Sequence, residues 1–225
     1  MAYQKRSEEA AVAGASCPAQ ERQLVLYEGM KRAMDIVCSL IGLVLLSPVF
    51  VMIGLLIKLE DPKGSVFFYQ TRVGKDGKLF RMYKFRSMVS NAEEKLKELL
   101  AQNEVQGAMF KMRDDPRVTR VGRFIRKTSI DELPQLVNVL QGSMSLVGPR
   151  PPLPREVAEY TPYDRQRLDV TPGCTGLWQV SGRSNLSFEQ MVELDLSYVR
   201  NRSIFMDVRI LLRTVRVLLG SKDAF

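Results

Sequence analysis

Residues 36–57 read IVCSLIGLVLLSPVFVMIGLLI, an uncharged run with Ser47-Pro48 at its centre; Lys31 and Arg32 precede it and Lys58 follows. A helix needs about 20 apolar residues to cross roughly 30 Å of hydrocarbon, so this run marks a chain that contacts a membrane. The proline makes the manner of contact the question. It removes a backbone donor and clashes with the preceding turn, at about 3 kcal/mol in an ordinary helix. In lipid the freed carbonyl has no water to turn to. Half-helices of about 11 residues would each be about 16 Å long, enough to reach mid-bilayer and return. Basic residues at both ends favour keeping both ends on the cytoplasmic side. The run therefore reads as a re-entrant hairpin, a helix-break-helix. A single kinked transmembrane helix stays open beside it, because prolines occur in such helices too.

Outward from this run, 225 residues suit one compact domain, a membrane element and a tail. The expected divisions are residues 1–30 (tail and lead-in helix), 31–58 (membrane hairpin) and 59–225 (cytoplasmic and interfacial domain). The first 30 residues mix charge signs and lack an apolar core, which is unlike a cleavable secretion signal. Three widely spaced cysteines, Cys17, Cys38 and Cys174, offer neither a disulfide framework nor a C-x-x-C zinc pair, and fit a reducing cytoplasm. Lys and Arg number 33 against 25 acids, a net charge of +8. That excess suits nucleic acid, anionic lipid or a phosphorylated substrate equally. There is no histidine, which excludes Ser-His-Asp and Cys-His mechanisms and any His-ligated metal.

Beyond the run, two β-rich stretches flank Lys75-Asp76-Gly77-Lys78, and Asp-Gly is a strong hairpin signal. Ser90-x-x-Glu93 has the form of a capping box opening a helix. Residues 128–142, TSIDELPQLVNVLQG, read as a helix closed by Gly142. Residues 146–186 carry loop signals, and Ser187-x-x-Gln190 opens another helix. From Ser203, the residues Ile204, Val208, Leu211, Leu212, Val215, Leu218 and Leu219 share one face of a basic amphipathic helix; it can lie in the headgroup plane, the preferred reading, or pack on the domain core. The fold class expected is mixed α/β: a small sheet or hairpin with several helices, the membrane element near the N-terminus and interfacial amphipathic helices.

Asp131-Glu132 is the sharpest local feature. Adjacent acids follow a strongly basic segment at a helix start, and two readings stand. Ser129-x-x-Glu132 has capping-box form, or Asp131 is itself the N-cap with Pro134 in the first turn; acids there stabilise a helix by about 0.3–1 kcal/mol. Otherwise the pair carries chemistry. Lys84 and Arg86 alternate on one face of a strand, with Phe85 opposite; they can meet one anion or simply form a polar sheet face. Arg150 sits on a stiff Gly148-Pro149 and Pro151-Pro152 loop, where a planar guanidinium suits phosphate. Gly182-Arg183 ends a glycine-rich stretch whose amides can also meet an anion. Trp178 reads as a loop anchor in the core.

Taken together, KRAMD, the Ser-Pro break, YKFRSM, DPRVTRVGRFIRKTSIDELPQLVNVLQGSMSLVGPRP and TPGCTGLWQVSGR resemble the bacterial sugar transferases, the monotopic phosphoglycosyl transferases. The likeness runs in order from about Lys31 to the C-terminus, and no additional N-terminal transmembrane domain of the kind larger members carry is expected. It implies an enzyme that transfers phosphorus-containing groups. A sugar 1-phosphate moves from a UDP-sugar to undecaprenyl (polyprenyl) phosphate with release of UMP, the first membrane step of exopolysaccharide, capsule, O-antigen or glycoprotein glycan synthesis. It also implies the re-entrant form of the Ser47-Pro48 segment and a monotopic place on the cytoplasmic face of the bacterial inner membrane.

By position, the resemblance makes Asp131 the nucleophile of a covalent aspartyl phosphosugar intermediate. Glu132, beside Asp131, holds Mg²⁺. Lys84, Arg86, Arg150 and Arg183 bind the donor's phosphates or nucleotide, and Lys31 and Arg32 meet lipid headgroups. The partners expected are UDP-sugar, undecaprenyl phosphate, an anionic phospholipid bilayer and downstream glycosyltransferases, with no nucleic acid. A membrane-anchored basic binding or scaffold protein without catalysis is the competing class; in it Asp131-Glu132 merely caps a helix.

Overall fold

A computed structural model describes residues 18–92, 94, 115–182 and 186–220. Its first element, α1 (Pro18–Glu60), is 43 residues long, so the lead-in helix and the apolar run are one element and not two. Helical backbone continues through Pro48, so the break expected at Ser47-Pro48 is corrected: the two halves form one continuous helix. Proline has no N–H for the carbonyl of Val44, and the Ser47 hydroxyl donates to that carbonyl instead, at 2.8 Å. Ser-Pro thus satisfies locally the group that proline orphans, which matters most where no water is at hand. The most apolar stretch of α1 is only 11% buried. Leu40, Ile41, Val44, Leu45, Val51, Met52 and Leu55 are exposed, while Asp35 and Ser39 before the proline and Ile53 and Ile57 after it are buried. Both halves of α1 therefore pack on the domain and leave an apolar face uncovered.

Strands β1 (Phe67–Val73) and β2 (Leu79–Phe85) form the expected antiparallel hairpin, in register from Phe67 opposite Phe85 to Val73 opposite Leu79. Asp76 and Gly77 take positive φ (56° and 76°) in the connecting turn, the conformation for which Asp-Gly is suited. The helix proposed from Ser90-x-x-Glu93 falls largely outside the described residues. After it, α2 (Arg120–Lys127) is capped by the Thr119 hydroxyl. A 3₁₀ turn, Ile130–Glu132, and α3 (Gln135–Gln141) follow, and Gly142 (φ 83°) ends α3 as its composition predicts. The single helix expected over 128–142 is thus two pieces, because Pro134 lacks the N–H that would continue the turn.

The segment expected to be loops holds two short parallel strands, β3 (Ser145–Val147) and β4 (Gly173–Thr175). Gly173 is required there, since a Cβ on it would stand 2.1 Å from the Gly148 nitrogen. Two small helices, α4 (Pro154–Ala158) and α5 (Pro162–Arg165), lie between these strands. The last two are α6 (Phe188–Asn201), opened by the expected Ser187/Gln190 capping box, and α7 (Ile204–Gly220). The core has two parts. Met82, Val139, Met144, Leu146, Val147, Tyr198 and Ile210 form one; Ile53, Ile57, Phe85 and Ile125 form the other.

The single apolar face expected on α7 divides. Ile210 with Met206 and Leu211 packs into the first cluster, whereas Phe205, Val208, Leu212 and Val215 are exposed. Counting apolar positions could not separate a face turned to the core from one turned outward.

Candidate active site

Asp131 and Glu132 lie in the 3₁₀ turn between α2 and α3. Neither capping reading survives. Ser129 is left-handed (φ 56°) and its side chain makes no cap bond, and Asp131 lies inside the turn with only 9% of its surface exposed. Burial pushes the Asp131 carboxyl up from 3.8 to about 6; Lys84 and Arg126 oppose the rise and Glu132 adds to it. A carboxylate at a helix end for capping alone would gain from solvent. This one is desolvated within reach of Lys84 and Arg126, so it is more basic than an ordinary aspartate.

Glu132 is held differently. Lys84 Nζ donates to its Oε1 at 2.6 Å. Burial acts to raise its carboxyl, but Lys84, then Arg150 and Arg72, outweigh that and hold it below the usual carboxylate range. Two neighbouring acids thus have their proton affinities pushed apart, one toward a basic carboxylate and one toward a permanent anion.

Lys84 comes from β2, and the structure parts it from Arg86. The Arg86 guanidinium passes so close to Gly64 that a Cβ there would overlap it. Its Nη2 donates to the Asp61 carbonyl at 2.8 Å and its Nη1 stands 3.6 Å from Asp61 Oδ2. The expectation that both cations meet one anion is therefore corrected: Lys84 serves the acidic pair and Arg86 ties down the end of α1. Two cations absent from the sequence-based candidates take its place. Arg126, at the end of α2, lies in the electrostatic reach of Asp131 and donates from Nε to the Ser87 hydroxyl at 2.8 Å. Arg72, on β1, is buried, and donates to Pro151 O at 3.0 Å and to Gln70 Oε1 at 2.7 Å. Burial, with Arg150 nearby, lowers the Arg72 guanidinium to about 10, and Glu132 helps to keep it charged. No local motif flags either one. Arg72 sits in a strand like any alternating residue, and Arg126 is one cation in a basic run.

Arg150 is exposed on a loop pinned at several points. Val73 N donates to Pro152 O, Gly148 N to Thr175 O and Gly173 N to Pro149 O, each at 2.9 Å. These bonds carry the loop from the parallel pair across to β1 and set Arg150 beside Arg72 and Glu132. Arg183 falls outside the described residues. Trp178 is buried, as a core anchor should be. Cys174 is half-buried, and desolvation pushes its thiol far up, which leaves it no thiolate character.

Lys31 and Arg32 are corrected as headgroup contacts. Lys31 Nζ donates to Asp207 Oδ2 at 2.8 Å. Arg32 donates to the carbonyls of Val139 and Leu140 at 2.6 and 2.7 Å, capping the end of α3. Asp35 Oδ1 accepts from Leu146 N at 3.0 Å. The KRAMD segment therefore docks α1 onto the domain.

Among the described residues no three His, Cys, Asp or Glu side chains converge as a metal cage. Two adjacent carboxylates completed by substrate phosphates and water nevertheless match the oxygen donors that Mg²⁺ takes. Asp131 and Glu132 fit that role. Lys84 and Arg126 act on the buried Asp131 carboxyl, and Lys84, Arg150 and Arg72 act on its neighbour Glu132, so the acidic pair lies in a field of cations suited to phosphate.

A family model described as bacterial sugar transferase matches residues 26–221. The chain is 48% identical over 200 residues to the undecaprenyl-phosphate galactose phosphotransferase of Salmonella typhimurium, covering 87% of this chain and 42% of that protein. It is 43% identical over 198 residues to the UDP-glucose:undecaprenyl-phosphate glucose-1-phosphate transferase of Escherichia coli, covering 83% of this chain and 39% of that protein. It is 41% identical over 199 residues to the exopolysaccharide production protein ExoY of Rhizobium meliloti, covering 87% and 88%. The chain thus spans under half the length of the first two relatives and most of the third.

Proposed function

The chain belongs to the bacterial sugar transferase family, and from that membership we propose that it transfers a sugar 1-phosphate from a UDP-sugar to undecaprenyl phosphate, initiating a membrane-bound glycan. The observation that carries this reading is the buried Asp131 carboxylate, raised to about 6, beside the Glu132–Lys84 pair. At neutral pH Asp131 is ionised and needs no base to strip a proton, in keeping with a chain that has no histidine. One of its oxygens attacks the phosphorus that bears the sugar. The bond from that phosphorus to the bridging oxygen breaks, the electron pair leaves with UMP, and an aspartyl phosphosugar remains. An oxygen of undecaprenyl phosphate then attacks the same phosphorus, and Asp131 departs as a free carboxylate.

A carboxylate approaching a diphosphate is repelled. Arg72, Arg150 and Arg126 offset that charge from the protein side, while Lys84 holds Glu132 in place. Mg²⁺, bound by Glu132 and Asp131 with phosphate oxygens, would supply further neutralisation. The uncovered apolar face of α1 and the exposed stripe Phe205, Val208, Leu212 and Val215 of α7, flanked by Arg209 and Arg216, suit a monotopic domain seated on the cytoplasmic leaflet. The long prenyl chain then stays in lipid while its phosphate reaches Asp131; extracting it would cost roughly 0.8 kcal/mol per CH₂.

The test is UMP release in detergent with Mg²⁺, undecaprenyl phosphate and a panel of UDP-sugars, beside Asp131→Asn. UMP that needs the lipid acceptor for continued turnover and disappears in the variant supports the reaction. Full activity in the variant removes the covalent mechanism.

A further inference from the structure

The N-terminal donors of α2 are all accounted for, and some of their acceptors come from outside the segment. Thr119 Oγ1 accepts from Gly122 N at 2.8 Å, and Thr119 O from Arg123 N at 2.9 Å. The two preceding donors go elsewhere: Arg120 N to Glu60 Oε1 at 2.7 Å, and Val121 N to Glu60 Oε2 at 3.0 Å. A helix start leaves such N–H groups unpaired and carries partial positive charge, so a carboxylate using both oxygens is a strong partner. Glu60 is the last residue of α1. Its neighbour Asp61 accepts from Ser90 N at 2.8 Å and pairs with Arg86.

From this cap, α2 runs to Arg126 and Lys127, and the turn that presents Asp131 follows within a few residues. Along its length α2 is held close. Ile125 is fully buried against Ile53 and Ile57 of α1, and Gly122 approaches Ser87 so nearly that a Cβ would stand 2.0 Å from the Ser87 carbonyl. A short helix pinned this way behaves as a strut between the end of the membrane helix and the catalytic turn.

We propose that Glu60 is a positioning residue for Asp131: its bidentate cap on α2 fixes the turn 130–132 relative to the end of α1. The proposal rests on the reading of Asp131 as nucleophile. It makes the placement of α1 in the bilayer part of the active-site geometry, since any rotation of its last turn moves the cap and with it the strut.

The full chain in lipid nanodiscs, as wild type, Glu60→Ala and Glu60→Gln, is followed by hydrogen–deuterium exchange and by UMP release. In Glu60→Ala, exchange quickens across 120–132 while the β1–β2 hairpin keeps its protection. The value of kcat falls tenfold or more, as misplacement by about 1 Å can cost up to about a hundredfold, with KM for the UDP-sugar within about twofold. Glu60→Gln keeps an acceptor oxygen and recovers part of both. Faster exchange confined to 120–123 with an unchanged kcat would reduce Glu60 to a helix cap and overturn the proposal. Exchange at 128–132 is read without turnover, so it decides the point even if wild type releases no UMP, a result that counts against the transferase reading instead. Should Glu60→Ala fail to fold, wild-type exchange at 128–132 and wild-type kcat in Glu60→Gln would overturn it equally.

Discussion

Lys84 Nζ stands 2.6 Å from Glu132 Oε1 across 48 residues of sequence, so strand β2 and the turn that carries Asp131 share one ion pair. The pair is partly open to solvent on the Glu132 side, at 38% side-chain exposure against 18% for Lys84. Its value therefore lies in placement and field more than in net stability.

Replacing Lys84 with Met removes the cation that pulls hardest against the raised Asp131 carboxyl. The acid limb of the kcat/KM profile should move upward from about 6, and kcat/KM at neutral pH should fall by about a hundredfold. A pH–rate profile over the acid range measures this. An acid limb left where it was would show that Lys84 does not act on the nucleophile.

Asp131→Asn should abolish transfer and yet stabilise the fold. The folded-state carboxyl is raised to about 6 from 3.8. Its stabilising contribution is complete below the unfolded value and is lost as pH rises through the folded one. At about pH 8 the ionised, buried side chain costs on the order of 2–3 kcal/mol, which the amide escapes. Denaturation should show the variant more stable at about pH 8, with the gap closing toward pH 4. A variant less stable than wild type at high pH would return Asp131 to a capping role.

Pro48→Ala restores a backbone N–H to the Val44 carbonyl now served by Ser47. If the proline keeps both ends of α1 on one side of the bilayer, the substitution shifts the element toward a span. An engineered N-terminal cysteine should then become accessible to an impermeant thiol reagent from the periplasm. Unchanged cytoplasmic accessibility would contradict this account.

Arg32→Ala strips the partner from the carbonyls of Val139 and Leu140 at the end of α3. Leaving such acceptors unpaired costs about 1–3 kcal/mol. Chemical denaturation should detect that loss, while KM for the UDP-sugar stays near wild type because Arg32 is engaged by the carbonyls that end α3 and is not among the groups that act on Asp131. A lipid-dependent loss of binding without any loss of stability would restore Arg32 to the headgroups.

What the sequence by itself determined is what short-range physics controls. Asp76-Gly77 makes the hairpin, Ser187 with Gln190 opens α6, Gly142 stops α3, and the run from Ile36 to Ile57 makes a helix apolar and long enough to enter a membrane, because each depends on neighbours a few residues away. The ordered motifs around Asp131 also point to the family. Tertiary structure alone decided which charges meet. Lys84 and Arg86 read alike on one strand, yet one serves Glu132 and the other Asp61. Lys31 and Arg32 turn inward, although they flank the apolar run. Arg72 joins the site through a loop 79 residues away, where it meets Pro151. A charged side chain carries no local signal of its partner. Long-range packing chooses it, and the same packing buries Asp131 and raises its carboxyl to about 6 instead of leaving it at a helix cap.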